Sequence, residues 1–212
     1  YPLSRQPYRN HRIVINPYGG AARSMRLTGG EARGRRLQGP GRLPIRPTSD
    51  RVREALFDIL GGRVQGAAFL DGFAGTGAVG VEALSRGASG VIFVERDLRA
   101  IRMIRQNLFE DAWIDRHEIV RGDLGRVVGA SPLKTARFDI IFLDPPYDER
   151  LKPALLEAMA GLLAPGGVVV IEHRSSRGAE IPAAKGLQTG RIYRYGDTAL
   201  TLRHDARGGS GR

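Results

Sequence analysis

The 212 residues are 42% hydrophobic and 26% charged, an ordinary balance for one α/β domain with a full core. The absence of cysteine excludes disulfides, thiolate nucleophiles and cysteine-ligated zinc or iron–sulfur, and there is no apolar run of about 18 residues to span a membrane. A formal charge of +11, nearly all of it arginine because only Lys134, Lys152 and Lys185 are lysines, points to an anionic partner that guanidinium groups can fork onto and stack against.

Residues 1–24 are polar, basic and aperiodic, and read as a disordered or non-native extension. Their opening, YPLSRQPYRN, has no apolar stretch of the kind a secretory leader needs, and a cytoplasmic setting is expected. Residues 25–45 read as a small hairpin turning at Gly29-Gly30 and crowded with Arg33, Arg35, Arg36 and Arg42. Arg46-Pro47-Thr48 ends the extended chain, and Thr48 or Asp50 is placed to cap a helix over 50–60 with Val52, Leu56, Ile59 and Leu60 on one face.

From residue 67 strands and helices alternate. Strands are expected over 67–71, 90–95, 117–123, 137–144 and 168–173, and helices over 78–87, 98–109 and 151–164, the last closed by Pro165-Gly166-Gly167. Two late strands, 191–195 and 198–203, flank a turn at Gly196-Asp197, and ARGGSGR from Ala206 reads as a disordered tail. The pattern predicts an α/β, Rossmann-like, mostly parallel seven-stranded sheet with helices on both faces and an antiparallel C-terminal hairpin. The expected division is an extension at 1–24, a hairpin at 25–47, the main domain at 48–204 and a tail at 205–212.

Gly75-Thr76-Gly77-Ala78-Val79-Gly80 spells a G-x-G-x-x-G that could serve a dinucleotide. In that use the first glycine follows its strand almost at once, so that the turn delivers a pyrophosphate to the helix amino end. Here Asp71-Gly72-Phe73-Ala74 intervenes, and a carboxylate at the mouth would repel a pyrophosphate. It suits a ligand with a cationic end and no phosphate, such as S-adenosylmethionine. Glu95, twenty residues after Gly75, is placed for ribose hydroxyls with either ligand, and Asp123 for the adenine amine. The bland reading makes Asp71 and Asp123 solvated loop carboxylates. His11, His117, His173 and His204 lack metal-ligand spacing, so no metal site is expected.

Asp144-Pro145-Pro146-Tyr147, directly after IIFLD, carries the second half of the site. Two prolines fix φ and the direction of the carbonyls between them. An aspartate oxygen and a fixed proline carbonyl can accept both hydrogens of an exocyclic base amine. That pulls the nitrogen toward tetrahedral geometry and aims its lone pair, while Tyr147 stacks on the base.

The stretch around Asp71 to Gly77 resembles the first motif of class I S-adenosylmethionine-dependent methyltransferases, and Asp144 to Tyr147 resembles their amino-methylating motif. More narrowly, LTGGEARGRRLQGP (27–40), RPTSDRVREALFDIL (46–60), GVEALSRGA (80–88), FLDPPY (142–147) and YGDTALTL (195–202) are similar to the bacterial small-subunit ribosomal RNA guanine-N2 methyltransferases of the RsmD family. The resemblance implies that fold behind an RNA-binding hairpin, and methylation of one guanine amine in 16S rRNA of the small subunit or a late assembly intermediate by a monomer. It implies that Asp71, Phe73, Ala74, Gly75 and Gly77 hold the methionine part, Glu95 the ribose and Asp123 the adenine. Asp144, Pro145, Pro146 and Tyr147 then hold the base, and Arg33, Arg35, Arg36 and Arg46 meet RNA. A DNA adenine or cytosine amine methyltransferase would use the same chemistry, but no target-recognition domain is evident. A non-catalytic RNA-binding assembly protein would need neither Glu95 nor the double proline. A dehydrogenase would need a catalytic group that does not accompany these glycines.

Overall fold

The computed structural model describes residues 25–41, 48–108, 111–146, 151–175 and 181–208. The expectations for residues 1–24, for Arg42 and Arg46, and for Tyr147 lie outside these.

Nine strands and five α-helices follow one another among the described residues. A two-stranded hairpin, β1 (Met25–Arg26) and β2 (Arg36–Leu37), precedes α1 (Asp50–Leu60). Then come β3 (Ala68–Asp71), α2 (Ala78–Ser85), β4 (Gly90–Glu95), α3 (Leu98–Asn107), β5 (His117–Arg121), the short α4 (Leu124–Val127) and β6 (Phe138–Leu143). The chain continues through α5 (Pro153–Leu162), β7 (Leu163–Arg174), β8 (Leu187–Tyr195) and β9 (Thr198–Asp205).

The main sheet has seven strands in the order β5-β4-β3-β6-β7-β9-β8. The first five are parallel, and β9 runs antiparallel between β7 and β8. The apolar strand sequences require cover on both faces, and two cores supply it. Phe69, Phe93, Phe142, Val168 and Val170 pack toward α1, α2 and Ile104 of α3. Leu70, Val94, Ile141, Leu143, Val169 and Ile171 pack with Leu124 and α5. Strand order reverses between β3, whose chain moves on to β4 and β5, and β6, which lies on its other side. A crevice opens at the carboxyl ends of the strands at such a point.

Several local expectations are corrected. The cap of α1 is Ser49, which accepts from Val52 N at 3.3 Å, and neither Thr48 nor Asp50 has that role. Phe57 and Arg53 are buried on α1 beside Val52, Leu56 and Leu60, whereas Ile59 is only partly buried. Gly29-Gly30 is not the tight turn of the hairpin: Met25 pairs with Leu37 and Arg26 with Arg36, with a loop between the two strands. Gly30, at φ 79°, lies so close to α2 that a Cβ would overlap the Ser85 carbonyl, and Glu31 N donates to that carbonyl at 2.8 Å.

Pro165-Gly166-Gly167 does not separate α5 from the next strand. β7 begins at Leu163 and absorbs the glycines through a register shift against β6. At the carboxyl end, Asp205 closes β9 and Ala206–Gly208 form a 3-10 turn, although both were expected in a disordered tail. Arg207 anchors that turn, donating to Asp205 Oδ1 at 2.9 Å and to the carbonyls of Ala160 and Leu163 at 3.1 Å each. Among the described residues no helix is long and apolar enough to cross a membrane.

Candidate active site

A cleft of about 450 Å³ opens over the carboxyl ends of β3, β4 and β6, within the range of small-molecule sites. The loop after Asp71 forms its floor. Gly72 N donates to Phe142 O of β6 at 2.9 Å and Ala74 N to Val94 O of β4 at 3.0 Å, so the loop is pinned to both neighbouring strands. Gly75 at φ 51° and Gly77 at φ 74° take the left-handed conformation that turns the chain into α2. Gly80 lies inside α2 against Phe93, where a side chain would overlap the ring.

Asp71 is 1% exposed, not the solvated loop carboxylate of the bland reading. Its Oδ2 accepts from Gly80 N at 3.0 Å, in the first turn of α2. Burial pushes its carboxyl up to about 7; the Gly80 N–H opposes this, and the nearby charge of Glu95 adds to it. A buried acid poised near neutrality and facing a cleft is a place where a cationic ligand group can settle.

Glu95, at the end of β4, is held by three backbone donors. Oε2 accepts from Gly75 N at 2.8 Å, and Oε1 accepts from Arg96 N at 2.7 Å and Asp97 N at 2.8 Å. Oε1 has both lone pairs engaged, while Oε2 keeps one, so the group is oriented yet still able to accept from a ligand hydroxyl. Asp123 stands at the start of α4 without a side-chain bond to the helix, and it lines the cleft. Phe73, Ala74 and Gly75 line it too, while Gly77 stands behind the loop as the first residue before α2. The donor set fits S-adenosylmethionine: a buried acid for an ammonium, a fixed carboxylate for a ribose, and no phosphate cradle left open by Asp71.

Asp144, Pro145 and Pro146 follow β6 directly and line the far wall of the same cleft. Sequence reasoning missed two other wall residues, Thr48 and Glu172. Thr48 is 8% exposed and Glu172 is 4% exposed. Thr48 Oγ1 lies 3.1 Å from Glu172 Oε2 and 3.4 Å from Asp144 Oδ2, so one hydroxyl stands between two carboxylates. The segment RPTSD reads locally as a helix start, and nothing in it announces a partner 124 residues away.

The hairpin is built onto the same scaffold. Glu82 of α2, fully buried, accepts from Thr28 N, Thr28 Oγ1 and Arg86 Nε, and from Arg53 Nε at 2.8 Å. Burial alone would push its carboxyl up; the bonds from Thr28 and Arg53 overcome this and hold it below the ordinary value. Arg53 also donates to the Arg26 carbonyl and to Asp50 Oδ1. Asn107, 1% exposed, accepts from Gln38 N at 2.7 Å and donates to Thr76 O at 2.9 Å, tying the hairpin's exit to the glycine loop. Arg33, Arg35 and Arg36 are exposed on this appendage. Arg51 and Glu54 are exposed on α1, and among the described residues Arg53 makes ion pairs with Asp50 and Glu82. Among the described residues no group of three or more histidine or acidic side chains is gathered to hold a metal.

The parallel sheet with its β7-β9-β8 antiparallel end, the glycine loop under Asp71 and the Asp-Pro-Pro segment at the end of β6 define a class I methyltransferase. The model of the family described as Conserved hypothetical protein 95 matches residues 25–204, hairpin included. The chain belongs to this family, that of RsmD. It is 37% identical to YlbH of Bacillus subtilis over 181 residues, 84% of this chain and 97% of the relative. It is 36% identical to ribosomal RNA small subunit methyltransferase D of Escherichia coli over 148 residues, 68% of each chain. The solved structure of yhhF from Escherichia coli superposes with a TM-score of 0.73 at 30% identity, covering 86% of this chain and 98% of that one.

Proposed function

We propose that this enzyme moves a methyl group from S-adenosylmethionine to the exocyclic N2 amine of a guanine in 16S rRNA. The observation that carries the reading is the opening of Asp144-Pro145-Pro146 into the same cleft as Asp71 and Glu95. When bound, S-adenosylmethionine supplies a methyl group on a positively charged sulfur. Asp71 receives the ammonium end, and Phe73, Ala74, Gly75 and Gly77 form the backbone under the methionine part. Glu95 accepts the ribose hydroxyls, and Asp123 the adenine amine.

Asp144 and the Pro145 carbonyl accept the two amine hydrogens of the target guanine. This withdraws the nitrogen lone pair from the ring and aims it into the cleft. As the new N–C bond forms, the nitrogen becomes cationic and sheds one of those hydrogens as a proton. Its acidity makes a strong base unnecessary, and the Asp144 carboxylate is the first acceptor it meets. Tyr147 stacks on the base. Arg33, Arg35, Arg36 and Arg46 bind phosphates, with the hairpin of 25–47 serving the main domain of 48–204 as its RNA-binding arm. The substrate is the small subunit or a late assembly intermediate, the enzyme a cytoplasmic monomer.

The test is tritiated methyl transfer to three substrates side by side: small subunits lacking the modification, protein-free 16S rRNA, and duplex DNA. Nucleoside analysis should return N2-methylguanosine from subunits. Label in DNA adenine or cytosine would replace this reading with a DNA amine methyltransferase. Cofactor binding without transfer to any of the three would remove the substrate assignment.

A further inference from the structure

Glu172 has no part in the chemistry described above, yet the fold puts it beside Asp144. The last ladder pair between β6 and β7 is Leu143 with Ile171, so Asp144 and Glu172 are the next residues on neighbouring strands. Alternation along β7 decides which way Glu172 faces. Val169 and Ile171 belong to the core under α5, and Val168 and Val170 to the core under α1. Glu172 therefore falls on the α1 side, where Thr48 meets it. It is 4% exposed but forms part of the cleft wall with Pro145 and Pro146.

Two carboxylates thus border the place assigned to the base, with the Thr48 hydroxyl between them. Such a wall rejects a lone pair and welcomes a row of donors. The three bases with exocyclic amines differ on this point. Guanine presents its N2 amine next to a ring N1–H, so two neighbouring groups are donors. Adenine and cytosine present an amine next to a ring nitrogen that carries a lone pair.

We propose that Glu172 selects guanine, its carboxylate accepting the ring N1–H of the base whose amine Asp144 holds. The proposal rests on the reading of the enzyme as a base-amine methyltransferase. It makes the choice of base a property of paired acids at the ends of β6 and β7, separate from the arginine contacts that find the RNA. Discrimination of this kind is strong, because the wrong base leaves a carboxylate facing a lone pair beside a nearly buried side chain.

The experiment uses small subunits reconstituted with 16S rRNA that carries guanosine, 2-aminopurine or 6-thioguanosine at the nucleotide mapped by the transfer assay. All three keep the N2 amine. 2-Aminopurine lacks the N1–H, and 6-thioguanosine keeps it while changing only the O6 position. Wild-type enzyme should use guanosine and 6-thioguanosine within about tenfold of each other, and 2-aminopurine on the order of a hundredfold less well in kcat/KM. Glu172→Gln keeps the size of the side chain and can turn an amide N–H toward the 2-aminopurine lone pair. It should shrink the guanosine preference at least about tenfold. Equal slowing on guanosine and 2-aminopurine would mean a structural role and would overturn the assignment. So would wild-type enzyme that uses 2-aminopurine as well as guanosine, a result that does not depend on how the variant folds. Failure of wild-type enzyme on guanosine itself would remove the proposed function and this inference with it.

Discussion

Arg53 Nε meets Glu82 Oε2 at 2.8 Å with both side chains fully out of solvent. The pair joins α1 to α2, and Thr28 of the hairpin closes onto the same carboxylate. A buried ion pair adds little to stability by existing, but removing one partner strands the other charge in the core. Glu82→Ala should therefore cost about 3–5 kcal/mol in urea unfolding at neutral pH. The folded carboxyl sits below its ordinary value, so its contribution is present above that value and is lost as pH falls through the lower folded one. The gap between variant and wild type should narrow in acid; a gap that stays constant with pH would remove the charge from this account.

Asp71 behaves in the opposite sense. Its folded carboxyl is pushed up to about 7 from an ordinary 3.8, so the native state holds a proton that the unfolded chain has already released. Stability from this group is full below about pH 4 and falls as pH rises toward 7, by up to ~4 kcal/mol. Asp71→Asn keeps an oxygen for the Gly80 N–H and carries no charge. It should melt higher than wild type at pH 8 and equal to it near pH 3. In the wild-type enzyme, affinity for S-adenosylmethionine should rise with pH from 6 to 8 in calorimetric titrations, and the variant should bind at least tenfold more weakly at pH 8. A variant that binds as well as wild type would take Asp71 out of the cofactor site.

Asp144→Ala removes one of the two acceptors proposed for the target amine. The transfer rate should drop on the order of a hundredfold or more, the scale set by losing a fixed transition-state hydrogen bond. Affinity for S-adenosylmethionine should stay within a few-fold, since Asp71 and Glu95 are untouched. Single-turnover kinetics with calorimetry separate the two, and a transfer rate within about tenfold of wild type would exclude this mechanism.

The exposed arginines of the hairpin give a salt test. Replacing Arg33, Arg35 and Arg36 with alanine should weaken RNA binding and reduce the slope of log affinity against log salt, by up to roughly 2 if all three meet single-stranded phosphates. Cofactor affinity should not change. An unaltered slope would move the RNA interface away from the hairpin.

The sequence by itself determined the order and type of the main elements, because buried parallel strands read as short apolar runs and amphipathic helices keep their period. It also placed the glycine loop, Asp71, Glu95 and the Asp144 segment at the carboxyl ends of strands, since each lies at or just after a strand end and local chemistry marks it. Only the tertiary structure decided the rest. Gly29-Gly30 reads as a turn pair, but Gly30 is glycine because α2 passes against it. Thr48 reads as a helix cap, but it belongs to Glu172 and Asp144, which lie far along the chain. Glu172 and Glu82 carry no local mark in the sequence, yet both are buried among partners from other elements. Local patterns report the backbone's own hydrogen bonding and the side of an element that seeks the core. Polar pairings across dozens of residues leave no periodic trace, and here they are what join the hairpin, the glycine loop and the Asp144 wall of the cleft.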